Sequence, residues 1–194
     1  LALMPFIIAE SVSQWLYFSL MKADVITSCC GSLFSAGQVG VGSEITGIPL
    51  MGAMAVFYAG IILTLLSGLI YLIRDKLGYL FSITAGLFFL ISSVSLISFI
   101  SLYFYELPTH HCPFCILQKE YKYIGYIIYA SLLAGVVSGL GVGVLMPAQK
   151  IKSLSAYLPH FQRRLALISL ISYGLFVGVS IYRMVSTEFT MGLF

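Results

Sequence analysis

The sequence predicts an all-α integral membrane protein with five transmembrane helices, a four-helix bundle core plus an extra C-terminal span. Three observations predict it. Of 194 residues, 60% are hydrophobic and only 9% charged, whereas about a quarter of a soluble domain is charged. The mean hydropathy is +1.03. The apolar residues fall into five runs, each near the roughly 20 residues needed to cross a bilayer core of about 30 Å. Too few polar side chains remain to coat a water-exposed surface, which excludes a soluble enzyme and a disordered tail. The net charge of +3 is small and the Lys and Arg residues form no basic block, so nucleic acid is excluded as a partner. The lipid bilayer is the first partner to expect.

The first run, residues 1–21, is interrupted by Glu10, Ser11, Ser13 and Gln14. It lacks a basic leading region and an A-x-A cleavage site, so it reads as a span and not as a secretory signal. The second and third runs, 48–73 and 77–105, are joined only by Arg74-Asp75-Lys76, which makes them antiparallel neighbours. The fourth runs from about 115 to 146 and the fifth from 165 to 182. Residues 1–146 make the core and its external cysteine loop; 147–194 make a cytoplasmic connection and the fifth helix. Arg74, Lys76, Lys150, Lys152, Arg163 and Arg164 are six of the ten basic residues and flank two connections. Lys22 alone falls in the other two, 22–47 and 106–111. The excess of positive charge on cytoplasmic loops then sets the N-terminus inside and the C-terminus outside, with Lys119 and Lys122 as a minor dissent. The expected location is the inner (cytoplasmic) membrane.

All four cysteines fall in two pairs on the external side, Cys29-Cys30 in one connection and Cys112-Pro113-Phe114-Cys115 where the other passes into the fourth span. Cysteine used as a small core hydrophobe would be scattered through the spans; paired cysteines on the oxidising side point to redox or metal chemistry. On a helical first turn, residues i and i+3 share a face, close enough for a disulfide or a shared ligand. Pro113 suits such a first turn, and the helix N-terminus would favour thiolate and ease disulfide exchange. Ile116 stands where covalent haem attachment needs His. His110 and His111 admit two readings: soft-metal ligands beside the cysteines, or interfacial polar residues that tune them.

In order, these features resemble the vitamin K epoxide reductase family, which includes bacterial quinone-linked disulfide-forming proteins. The resemblance covers about residues 1–140. It rests on Cys30-Gly31-Ser32-Leu33-Phe34-Ser35, on Gly47-Ile48-Pro49-Leu50 with Gly52 and Tyr58, and on Cys112-Pro113-Phe114-Cys115. It implies that Cys115 faces a quinone (ubiquinone or menaquinone) and that Cys112 exchanges disulfides with Cys30. Ser35 and Pro49 would cap the quinone pocket, and Phe57, Tyr58, Phe104, Tyr105 and Phe114 would wall it; an interfacial aromatic belt accounts for several of these equally well. The implied partner is an external thioredoxin-like thiol protein. Three departures stand against the family pattern. Cys29 and Cys30 are adjacent instead of spaced, Lys119 stands where the family has a pocket tyrosine, and no thioredoxin-like domain is attached.

Glu10 reads either as a functional intramembrane carboxylate or as a residue nearer water in a shifted span. Glu120 with Lys119 and Lys122 reads as an interfacial charge cluster, and the serines of 91–101 as helix packing. Three functions follow. The first is a membrane thiol–disulfide oxidoreductase passing electrons from an external dithiol through Cys29/Cys30 and Cys112/Cys115 to quinone. The second is a soft-metal (mercury or copper) binding or transport protein. The third is a non-catalytic subunit held among other membrane subunits of an electron-transfer complex.

Overall fold

A computed structural model describes residues 4–20, 49–75, 77–107, 111–151, 154 and 157–187, and all regular structure among them is helical. We number the long helices α1 (Met4–Leu20), α2 (Leu50–Arg74), α3 (Gly78–Tyr105), α4 (Ile124–Leu145) and α5 (Leu158–Ser186). Within α3, residues Leu96–Ile100 form a π-helical turn between two α-helical stretches. The helices α2 to α5 are long and apolar enough to cross a membrane. The chain is a multi-pass membrane protein. At 17 residues, α1 spans roughly 26 Å, short of a bilayer core of about 30 Å. Residues 8–16 of α1 are exposed, and the Gln14 side-chain amide donates to Glu10 at 3.3 Å, an i, i+4 pair on the helix surface.

Each helix begins and ends for a local reason. Pro49 caps α2: its fixed φ of −58° suits an entry, and its carbonyl accepts from Ala53 N–H at 3.0 Å. Asp75 and Leu77 both adopt left-handed φ, 51° and 67°, which reverses the chain and makes α2 and α3 antiparallel as the short connection predicts. Glu106 ends α3 the same way, its N–H donating to Leu102 O at 2.8 Å. Pro159 lies in the first turn of α5, where its missing N–H costs no helical bond. That helix starts at Leu158, seven residues before the expected 165, because the charged residues Arg163 and Arg164 continue the helix into water.

The bundle is built from α2, α3, α4 and α5. The last helix, expected as an addition to a core of the first four, packs more extensively against α4 than any other pair of helices packs. Glycines make the approach possible. A Cβ at Gly139 would meet the Ala85 methyl at 2.6 Å and Ser169 Oγ at 3.0 Å, and one at Gly135 would meet the Tyr173 ring at 2.9 Å. Across these close faces Ser169 Oγ donates to Gly135 O at 2.7 Å and Tyr173 OH to Ala85 O at 2.7 Å. Hydroxyls that find backbone carbonyls on neighbouring helices avoid the penalty of an unmade bond in an apolar interior. Phe57, Phe88, Phe99 and Phe176 form the aromatic centre, with Phe57 5.6, 5.8 and 6.2 Å from the other three ring centroids.

Alternating helices give the bundle two unlike ends. One carries the Asp75 turn and the 147–157 connection, closed by a forked pair in which Arg163 Nε donates to Asp75 Oδ1 at 2.7 Å and Arg163 Nη2 to Asp75 Oδ2. The other carries Glu106, bonded to Arg183 Nη2 at 2.8 Å and to Thr187 Oγ1 at 3.0 Å. The segment bearing Cys112 and Cys115 lies at this second end.

Candidate functional site: the C-P-F-C segment

The fourth apolar helix does not begin at the second cysteine. Between Cys112 and α4 the chain makes a turn and two 3-10 helices, Cys115–Leu117 and Lys119–Tyr121. The expected first-turn geometry is therefore corrected: the segment closes i+3 bonds, Leu117 N–H to Phe114 O at 3.1 Å and Gln118 N–H to Cys115 O at 3.0 Å. The long α-helix starts only at Ile124. Two causes are visible. Gln118 is extended (ψ 162°) and Lys122 and Tyr123 are left-handed (φ 53° and 57°), each incompatible with a continuing helix. Gly125 also lies against the Ile116 backbone, where a Cβ would sit 2.8 Å from Ile116 O. Helix α4 thus begins nine residues after Cys115, and neither cysteine belongs to its first turn.

Two tyrosines hold the segment. Tyr105, the last residue of α3, donates its phenol to Cys112 O at 2.5 Å and accepts from Ile116 N–H at 2.9 Å. Tyr129, from the second turn of α4, donates to Pro113 O at 2.6 Å. A third tie comes from His111: its Nδ1 lies 3.0 Å from Ile97 O, and a carbonyl can only accept, so Nδ1 carries the proton. Ile97 belongs to the π-helical turn of α3. Tyr121 packs edge-on to Tyr105, with centroids 4.9 Å apart. Burial, with Cys115 and Glu120 beside it, holds the Tyr121 phenol above its usual range.

Cys112 is buried, and Cys115 is half-buried against the same apolar cluster as Phe57, Tyr58, Tyr105 and Ile116. Phe57 is sealed among rings from α3 and α5. Tyr58 is half-buried beside it, centroids 5.6 Å apart. Phe114 is 61% exposed and points away from the cluster. Pro49 is exposed at the start of α2, and Lys119, Glu120 and Lys122 are exposed in the 3-10 region. Cys29, Cys30, Ser35 and His110 lie outside the described residues. Among the described residues no three of His, Cys, Asp and Glu converge as metal ligands.

Two grooves lie in the half of the bundle that carries the segment. An apolar one of about 480 Å³ lies between α2 and α3, lined by Gly52, Ala53, Val56, Leu90, Ile91, Val94 and Ser95; neither cysteine lines it. A mixed one of about 440 Å³ lies at the cysteine-bearing end, where Lys122, Arg183 and Glu120 line the walls with Phe104 and Tyr121. The sequence reading missed Tyr129 and Arg183. Tyr129 is one of two tyrosines, with Tyr126, in the first turns of α4 and nothing in the sequence distinguishes it; Arg183 has no signature beyond being a charge near the end of a span. Comparison with known proteins finds no matching family model, no matching curated protein and no matching solved structure.

Proposed function

We propose that the chain is a membrane thiol–disulfide oxidoreductase that passes electrons from an external dithiol, through Cys29/Cys30 and Cys112/Cys115, to a ubiquinone or menaquinone. The overall exchange balances. Two external thiols become a disulfide, and their two electrons and two protons convert the quinone to a quinol. Each intermediate step is thiolate attack on a disulfide sulfur. The reading keeps the resemblance to the vitamin K epoxide reductase family, and with it a thioredoxin-like partner and an inner-membrane location with both cysteine pairs outside. It also keeps α1 as a fifth crossing beside the bundle.

The observation that carries the reading is the built character of the C-P-F-C segment. Its backbone is fixed by phenols from the helices on both sides, at the end of the bundle opposite the basic connections, and Cys115 borders the aromatic cluster. The apolar groove between α2 and α3 offers lipid-soluble molecules an approach from the bilayer to the same half of the bundle. One observation favours a second reading: Cys112 is 1% exposed, as suits a static cysteine in a non-catalytic subunit. Purified protein, reduced and then given a short-chain ubiquinone or menaquinone, separates the two. The oxidoreductase forms quinol, with mass mapping showing a Cys112–Cys115 disulfide, and loses both in Cys115→Ser. Cysteines that remain thiols with no quinol formed overturn it.

A further inference from the structure

The ties on the C-P-F-C backbone do more than hold a loop. One phenol oxygen, that of Tyr105, bonds both Cys112 O and Ile116 N–H, so those two backbone groups can be no farther apart than the two bonds laid end to end. They bracket the motif: one belongs to the first cysteine, the other to the residue after the second. Tyr129 fixes the carbonyl between them, that of Pro113. The anchors sit on different helices, α3 and α4, so the spacing of the cysteines is set by bundle packing and not by the local turn alone. A disulfide demands Cα atoms about 4.4–6.8 Å apart, a window that a flexible five-residue stretch visits only part of the time.

We propose that Tyr105 and Tyr129 are positioning residues for the Cys112–Cys115 couple, a clamp that raises the effective concentration of one thiol at the other and so stabilises their disulfide. The inference rests on the redox reading above. Neither phenol donates or takes the electrons. Closing the couple against oxidised glutathione converts two protein thiols into a disulfide and one oxidised glutathione into two reduced ones, and the clamp acts on that equilibrium through geometry alone. Removing the Tyr105 hydroxyl loosens both ends of the motif at once. Removing that of Tyr129 loosens one carbonyl.

The test measures the Cys112–Cys115 thiol–disulfide equilibrium of the full-length protein in detergent, across glutathione buffers, with mass mapping to assign the bond. For Tyr105→Phe the equilibrium constant for disulfide formation falls about tenfold, which is a rise of about 30 mV in potential for a two-electron couple. Tyr129→Phe shifts it in the same direction by about threefold, and because that ring is only half-buried it carries the test should Tyr105→Phe fail to fold. Tyr173→Phe removes a buried hydroxyl bonded to Ala85 O, away from the motif, and leaves the equilibrium at the parent value. A parent-like equilibrium in the Tyr105 and Tyr129 variants, or an equal shift in Tyr173→Phe, overturns the clamp while leaving the redox reading in place. A parent protein that forms no Cys112–Cys115 disulfide in any buffer overturns the redox reading itself, and the clamp with it.

Discussion

Adding one methyl group at Gly139 tests the helix packing most directly. The new Cβ of Gly139→Ala would stand 2.6 Å from the Ala85 methyl and 3.0 Å from Ser169 Oγ, whereas carbon atoms pack at about 3.5–4.0 Å. Ser169 can rotate its hydroxyl, at the cost of its bond to Gly135 O. Ala85 has no rotamer to change, so α3 and α4 must separate by roughly 1 Å at that level. Overpacking of this kind costs about 1–3 kcal/mol. Against it stands the gain of up to about 1 kcal/mol when alanine replaces glycine inside a helix. Gly174 supplies the control, because a Cβ there meets nothing within 4 Å. Gly174→Ala should keep the propensity gain without the clash, leaving it about 1–3 kcal/mol more stable than Gly139→Ala. Reversible unfolding in mixed micelles reads the difference. The pair Gly139→Ala with Ala85→Gly should recover much of the loss, as coupled neighbours do. If Gly139→Ala unfolds no more easily than Gly174→Ala, the close approach of α3 and α4 is wrong.

Other expectations follow from single contacts. Gln162 is fully buried and donates to Val142 O at 3.2 Å, and its side-chain oxygen accepts from Gln149. Gln162→Ala leaves a buried carbonyl without that donor and should cost about 1–3 kcal/mol in the same unfolding assay. Arg163 and Asp75 are both about half exposed, so Arg163→Ala should leave the unfolding midpoint at the parent value, since exposed pairs contribute little and are screened by salt. Cys115 should be alkylated faster than Cys112 by a soluble maleimide under native conditions, because only Cys115 has surface to offer; equal rates would contradict the placement of the segment. For Tyr121, burial raises the phenol pKa in the folded state, so folded protein holds its proton more tightly than unfolded chain does. Stability must therefore fall as pH climbs past the unfolded value of about 10, and Tyr121→Phe should lessen that fall in an alkaline unfolding series.

Much of the scaffold is legible in the sequence. The helices α2 and α3 stand within two residues of the apolar runs that announce them, and the three-residue connection correctly makes them antiparallel neighbours. Hydropathy could not say which helices pair, because a membrane helix is apolar on its lipid face and on its protein face alike. That is why α5 reads as peripheral although Ser169, Tyr173 and Phe176 are buried in the bundle. The true signal is a stripe of small residues, Gly135, Gly139 and Gly143, at four-residue spacing on α4. The expected fourth span also runs back to Cys115, across Gln118, Lys119, Glu120 and Lys122, a polar stretch that already argues for a later helix start. The 3-10 turns there are imposed by tertiary contacts, the phenol of Tyr105 and the close pass of Gly125, and no local pattern encodes them.

The widened turn at Leu96–Ile100 behaves like a spacer washer in the shaft of α3. Its bonds close to the fifth residue instead of the fourth, so the wide turn takes up one extra residue within a single turn of the shaft. A chain one residue shorter there would close as ordinary α-helix and leave Tyr105 facing much as before. What such a loss would alter is the turn itself, where Ile97 O meets the His111 ring, so the extra residue serves the cysteine segment through a backbone acceptor and not through the aim of the phenol.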